Sequence, residues 1–280
     1  MKISKCIICD FRDPITYEHN TTLIIYKLNS IIQKNILNSA DVITYISEGV
    51  GSTLGANDGD KYHLLSNGFD PDDRGPQNVI SDSKKLIFCY VGSLYGGARD
   101  FSVFFKVISE LKLANEIKID DIEFIYAGKE GEVLKKQAAL YELDSMIDDK
   151  GFVTRAESLR LQQISDVCLV SSWNTDKDKG IMTGKVFEYF TNLKPIVAVI
   201  NGNRPGSELA KVIHKVKGGV VVETASKTID ADLLVLKGTI LNFYHSKMKY
   251  GKIKHEYSES VNDYSLSEMT SKLFKLIKQN

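Results

Sequence analysis

The sequence predicts an α/β protein whose strands lie in parallel sheets joined by helical crossovers. Short runs such as Lys85–Val91 (K-L-I-F-C-Y-V), Ile122–Ala127 and Ile196–Ile200 are apolar almost throughout, as strands covered on both faces are. Between them lie stretches whose apolar residues recur three and four apart. Glycine-rich turns follow several strands and lead into helices, the local signature of a strand-helix-strand unit.

With 280 residues, 43% of them apolar and 26% charged, the chain can bury a substantial core. Lysine plus arginine equals aspartate plus glutamate at 36 each, so no global electrostatic case for nucleic acid exists. Cys6, Cys9, Cys89 and Cys168 all sit in apolar runs, the habit of a small hydrophobe in a reducing compartment, and a cytoplasmic protein is expected. Cys6 and Cys9 form a C-x-x-C without a second pair or a nearby histidine, which favours burial over zinc. No apolar stretch approaches the ~20 residues that span a bilayer, and no small-residue cleavage site follows the first apolar run.

Ile3–Cys9 reads as a first strand, ending in D-F-R-D-P. Charged residues at a strand end lie where ligand crevices form, but Asp-x-x-Asp-Pro is equally a turn with an internal Arg–Asp pair, and spacing alone favours the turn. Thr21–Leu37 has helical spacing through Leu23, Ile24, Leu28, Ile31, Ile32 and Ile36. A strand from Ala40 leads to Ser47, an N-cap for a short helix through Leu54, and Tyr62–Leu65 is a further strand. Turn residues then accumulate over Ser66–Pro76, which places a boundary between an amino-terminal portion, 1–75, and a second domain, 76–250. Residues 251–280 form a terminal helical segment, with Leu273, Phe274 and Ile277 inward.

In the second domain the strand Lys85–Val91 meets the turn Gly92-Ser93-Leu94-Tyr95-Gly96-Gly97 and a helix through Phe101–Leu111, a phosphate cradle in the general sense. It is neither G-x-G-x-x-G nor a P-loop. Ile122–Ala127, a polar helix over Glu132–Glu142, the D-D-K-G-F-V segment and a helix over Glu157–Ile164 continue the alternation, before a strand over Asp166–Val170. Asp176-x-Asp178 has metal-site spacing, but Lys177 and Lys179 would repel a cation, so a solvated loop and no metal are expected.

The most informative stretch is Gly180–Ile200, G-I-M-T-G-K-V-F-E-Y-F-T-N-L-K-P-I-V-A-V-I, a loop, a helix closed by Lys194-Pro195, and a buried strand. Gly184 lets backbone approach a ligand, the free N–H groups at the helix start favour an anion, Lys185 adds a full positive charge, and Glu188 follows one turn later. That order suits a nucleoside diphosphate.

The run G-K-V-F-E-Y-F-x-x-x-K-P-I resembles the donor-binding helix of the retaining GT-B glycosyltransferases with two Rossmann-like domains, in their family 4-like branch. The A-D-x-I-x-x-x-S pattern at Ala40–Ser47, the N-G-F-D run at Asn67–Asp70 and the D-F-R-D-P segment are similar to the same family. The resemblance implies a GT-B type fold with a shortened amino-terminal domain, because family members carry several more elements before D-F-R-D-P. It implies transfer of a sugar from a nucleoside-diphosphate donor to a hydroxyl acceptor with retention, in surface polysaccharide or glycoconjugate synthesis and with no separate cofactor. Glu188 would hold the ribose and Lys185 the diphosphate, the pair carrying catalysis. Gly92, Ser93, Arg99, Phe152, Val153, Thr183 and Gly184 would complete the donor site, and Asp10, Arg12 and Asp13 would face the cleft.

Two departures qualify the carry-over. Many members have a second glutamate where this chain has Gly180, and an arginine where it has Ser93, for which Arg99 is the nearest substitute. The rival expectation is therefore a nucleotide-sugar-binding fragment or subunit without catalysis of its own, completed by a companion chain. Another nucleotide-sugar enzyme, such as an epimerase, is a third reading, and peripheral association with the inner face of a membrane a further expectation.

Overall fold

The computed structural model describes residues 6–16, 22–56, 59–73 and 83–279. It contains two parallel sheets. The first takes strands β1 (Ile8–Phe11), β2 (Val42–Tyr45) and β3 (Tyr62–Leu64) in the order β1-β2-β3, linked by helices α1 (Leu23–Ser39) and α2 (Glu48–Leu54). The second takes β4 (Leu86–Val91), β5 (Ile122–Ala127), β6 (Ile147–Asp149), β7 (Val167–Asn174), β8 (Ile196–Gly202) and β9 (Gly219–Glu223) in the order β6-β5-β4-β7-β8-β9. Its crossovers are α3 (Ser102–Leu113), α4 (Gly131–Ala139), α5 (Arg155–Ile164), α6 (Gly184–Thr191) and α7 (Glu208–Lys215), and α8 (Ile229–Tyr250) and α9 (Leu266–Gln279) close the chain.

That strand order reverses direction between β4 and β7. The connections from β4 run outward one way, those from β7 the other, so a crevice opens at the carboxyl ends of these two strands. β4 is buried along its whole length, with Phe88 and Tyr90 packed against Phe101, Phe104 and Phe124 on one face. On the opposite side of the sheet, Val170, Ile196 and Ala198 meet Val186, Phe187 and Phe190 of α6. This second cluster continues into Ile43, Val50 and Phe69 of the first lobe. The two lobes therefore share one core, and the chain crosses back where Phe69 exchanges backbone hydrogen bonds with Tyr264 and Leu266.

Several elements differ from their sequence expectations. β1 runs on through Asp10 and Phe11, and β7 reaches Asn174 because Ser171 and Ser172, both buried, pair with Val199 and Ile200. α8 runs from Ile229 to Tyr250, beyond the helix that the sequence alone places over 231–245, and is ended by Gly251. Phe274 is exposed, whereas Leu273 and Ile277 are half-buried. The apolar spacing of α1 does form a helix, yet Leu23, Ile24, Leu28, Ile31 and Ile32 are all about half exposed or more. The start of the first strand at Ile3, the helix start at Thr21 and the boundary at Gly75 lie outside the described residues.

One buried ion pair ties α8 to the sheet. Lys247, 2% exposed, places Nζ 3.0 Å from Asp166 Oδ1, and Asp166 Oδ2 accepts from the Ile87 amide at 2.9 Å. Lys247→Met should lower unfolding stability by about 3 kcal/mol, because it strands a desolvated carboxylate. Adding Asp166→Asn should recover part of that loss. Denaturant unfolding of the two variants and the wild type checks both statements.

Candidate functional site

The crevice at the carboxyl ends of β4 and β7 widens into a cavity of about 750 Å³. Gly92, Ser93, Arg99, Thr183, Gly184, Lys185 and Glu188 line it from the second lobe, and Asp13, Ile46 and Val50 from the first. Seven of the nine sequence-derived donor residues and one of the three cleft candidates thus share one space. Asp10 and Arg12 do not line it. Arg12 Nε lies 2.6 Å from Asp10 Oδ2 and its guanidinium donates to Asn67 Oδ1 at 2.9 Å, so the pair braces the 66–67 turn. Phe152 and Val153 also lie outside the lining: Phe152 is 77% exposed beneath Lys129, and Val153 packs on Leu161 and its neighbours.

Helix α6 explains how Lys185 and Glu188 come to face the cavity. Val186, Phe187, Tyr189 and Phe190 are buried, which turns positions 185 and 188, one turn apart, toward the crevice. Thr183 caps the helix, its hydroxyl accepting from the Lys185 amide at 3.4 Å. Lys185 Nζ sits 3.2 and 3.4 Å from the two Glu188 oxygens, and each side chain is about a quarter exposed. Gln162, fully buried on α5, donates its Nε2 to Glu188 Oε2 at 3.1 Å, and Arg155 stands 3.8 Å away. The Gln162 amide oxygen has no partner among the described residues. Glu188 thus lies among donors on the protein side, with its oxygens able to accept further hydroxyls from the cavity side.

Gly92 ends β4 with φ +146, and a Cβ there would stand 3.2 Å from Tyr90 Oη and 3.5 Å from Lys185 Cε. Beyond it the glycine-rich turn already holds an anion of the protein's own. Glu130 accepts from Ser93 Oγ at 2.5 Å and from the amides of Leu94, Gly96 and Tyr95 at 2.6, 2.7 and 3.2 Å. The Ser93 hydroxyl first, then the Gly96 amide, hold this carboxyl below its usual range. The turn is a nest filled from within, so its amides do not point free into the cavity.

Arg99 lies under the turn, buried, donating to Tyr90 Oη at 2.6 Å and to the Ser93 carbonyl at 3.3 Å while stacking on Tyr95. Its Nε is buried without a partner among the described residues. Burial pushes the Tyr90 hydroxyl up to about 12 even against the Arg99 charge.

Gly180 has φ +69, and a Cβ there would fall 2.6 Å from Ser47 Oγ, 2.7 Å from Gly49 Cα and 2.8 Å from Glu208 Oε1. A glutamate cannot occupy this position without parting the lobes. Asp176 is engaged by Arg204 at 3.2 Å and Asn203 at 2.8 Å. No group of three or more His, Cys, Asp or Glu residues spaced to hold a metal occurs among the described residues.

No protein-family model matches the sequence, and no curated protein does. Solved structures do. The chain superposes on Anabaena HepE in complex with UDP and glucose with a TM-score of 0.63 at 12% identity, over 99% of this chain and 72% of that one. The fold is GT-B. Sucrose-phosphate synthase of Thermosynechococcus elongatus gives 0.61 at 13% identity, over 97% and 67% of the two chains. TarM gives 0.58 at 15% identity, where this chain spans 49% of the structure it matches. In this GT-B chain the cavity lies at the strand-order reversal, where ligand crevices of open α/β sheets form.

Sequence reading missed Gln162, Arg155, Glu130 and Glu208. Gln162 is a polar residue at a core position of α5, which is the one signal that could have singled it out. Glu130 has only a position after a strand-ending glycine. At neutral pH Glu130→Gln should lower stability by on the order of 1 kcal/mol, for a carboxylate still partly open to solvent. Folding depresses this carboxyl, so the stability it adds is present above the unfolded value of about 4.3 and is lost as the pH falls through the lower folded value. Thermal unfolding of both proteins from pH 7 down to pH 3 should show the gap closing in that acid window.

Proposed function

We propose that the protein is a glycosyltransferase that binds a nucleoside-diphosphate sugar in this cavity and passes the sugar to a hydroxyl acceptor with retention. The observation that carries the reading is the convergence, on one cavity wall, of an open helix start, Lys185 and Glu188. The Gly184 amide and Lys185 suit the diphosphate, and Arg99 adds charge beneath it. Glu188, oriented by Gln162, suits two ribose hydroxyls. The acceptor oxygen bonds to the anomeric carbon as the bond from that carbon to the phosphate oxygen breaks, and the departing phosphate takes the acceptor proton. Lys185 and the helix start stabilise the charge that builds on it, without a metal. HepE, whose structure contains UDP and glucose, supports a uridine donor, and a role in polysaccharide or glycoconjugate synthesis is what the sequence resemblance implies.

Calorimetric titration of UDP and GDP tests this. Binding of one nucleotide should survive EDTA and weaken at least about tenfold in Glu188→Ala, the loss expected for charge-assisted hydrogen bonds. No binding to either nucleotide, or equal binding by the variant, would remove the reading.

A second reading, a donor-binding subunit completed by a companion chain, is favoured by the first lobe. β1 is an edge strand, with its outer side unpaired among the described residues, and α1, which follows it, presents six large apolar side chains to solvent. Hydrogen exchange decides: α1 amides should exchange fast in the isolated chain and slow with the companion. Protection in the isolated chain equal to that of β4 would remove the need for one.

A further inference from the structure

A second cavity, of about 520 Å³, lies on the other side of the seam between Gly49 and Gly180. Its floor is apolar, with Ile46 and Leu64 from the first lobe, Met182 and Val212 from the second, and Tyr264 and Met269 from the closing segment. Its rim is cationic: Lys179, Arg204, Lys211, Lys215 and Lys272 stand against the carboxylates Glu48, Glu208 and Asp263.

Those charges are unevenly committed. Asp263 is paired with Lys215 at 2.8 Å, and Glu208 is spent on the amides of Glu48 and Gly49 at 2.6 and 2.7 Å. Arg204 is paired with Asp176. Among the described residues, no carboxylate lies within 4.0 Å of the ammonium groups of Lys179, Lys211 or Lys272. Lys211 and Lys215 are one turn apart on α7, and Lys272 approaches from α9, so the positive rim spans the groove between the two helices. The start of α7 adds nothing to it, because Glu223 takes the amides of Gly206 and Ser207 at 2.7 and 2.8 Å.

We infer that this groove is a second ligand site, separate from the nucleotide cavity, which takes a phosphoryl group carried on an apolar body. The phosphate sits among Lys211, Lys215 and Lys272, and the apolar part lies on Val212, Tyr264 and Met269. Glu48 at the far end excludes a second anion there. Lys211 and Lys272, exposed and without a carboxylate within 4.0 Å among the described residues, add to the paired Lys215 an excess of positive charge beside an apolar floor. A phosphoryl ligand offsets that excess and bridges α7, α9 and the first lobe. The inference does not rest on the donor reading: Ile46, Gly180 and Met182 form a wall common to both cavities, and Lys211, Lys215 and Lys272 line only this one.

Octyl phosphate, octyl glucoside and inorganic phosphate, titrated calorimetrically in low salt, test it. Octyl phosphate should bind, and both octyl glucoside and inorganic phosphate should bind at least about tenfold more weakly, because each lacks half of what the groove offers. In the double variant Lys211→Gln, Lys272→Gln, octyl phosphate affinity should fall roughly tenfold, the sum expected of two partly exposed ion pairs. The melting temperature and the UDP affinity of that variant should not change. Saturating UDP should leave octyl phosphate binding to the wild type intact. Equal binding of octyl glucoside, unchanged affinity in a folded double variant, or displacement by UDP would each overturn the proposal; inorganic phosphate binding as tightly as octyl phosphate would overturn its apolar half.

Discussion

The close approach of Gly49 to Gly180 is the contact on which the rest of the arrangement depends. Each glycine stands where a Cβ would collide with the backbone of the other, at 2.6 to 2.7 Å. Glycine at both positions is what lets the loop after β7 lie against the start of α2. That seam sets the width of the crevice, fixes Ile46 and Val50 as its far wall, and divides one interlobe space into two cavities. Glu208 reinforces it by spanning from α7 to two amides of the first lobe. A glutamate at position 180, which the resemblance would supply, is incompatible with this packing.

A second regularity concerns where carboxylates go. Backbone amides that converge at a turn or helix start attract an anion, and this chain meets most of that demand itself. Glu130 fills the turn after β4, Glu208 the start of α2, and Glu223 the start of α7. At α6 the cap is only the neutral hydroxyl of Thr183, and the Gly184 amide has no protein acceptor among the described residues. Of these four sites, the helix start facing the crevice is thus the one that lacks an internal carboxylate. An external anion placed there competes with water, while at the other three it would have to displace a tethered glutamate.

How much of this was legible in the sequence follows from the range of each interaction. The fold was legible because Lys85–Val91, Ile122–Ala127 and Ile196–Ile200 announce buried strands through local composition. The α6 site was legible because Gly184, Lys185 and Glu188 act through spacing on one helix. Glu130 and Gln162 were not, because each acts across a gap of more than twenty residues that only the strand order closes. The same limit explains why Gly180 read as a missing ligand and not as a packing requirement: its neighbours Ser47 and Gly49 belong to the other lobe. Phe274 and the apolar face of α1 show the converse, since periodicity establishes a helix but does not say whether anything covers it.

The ion pair between Lys185 and Glu188 then acquires a meaning that neither residue has alone. At about a quarter exposure and 3.2 Å, the pair is a modest interaction, screened by solvent on its open side. It keeps the ammonium and the carboxylate from being stranded in a partly buried site before a ligand arrives. In the proposed donor complex a diphosphate, carrying more charge than a carboxylate, would meet Lys185 together with the Gly184 amide and draw the lysine toward the helix start. Glu188 does not lose its support when that happens, because Gln162 remains hydrogen-bonded to it from a position with no exposure to water. The carboxylate would then be freed on the cavity side and still held on the protein side, which is the state the proposed contact with ribose hydroxyls requires.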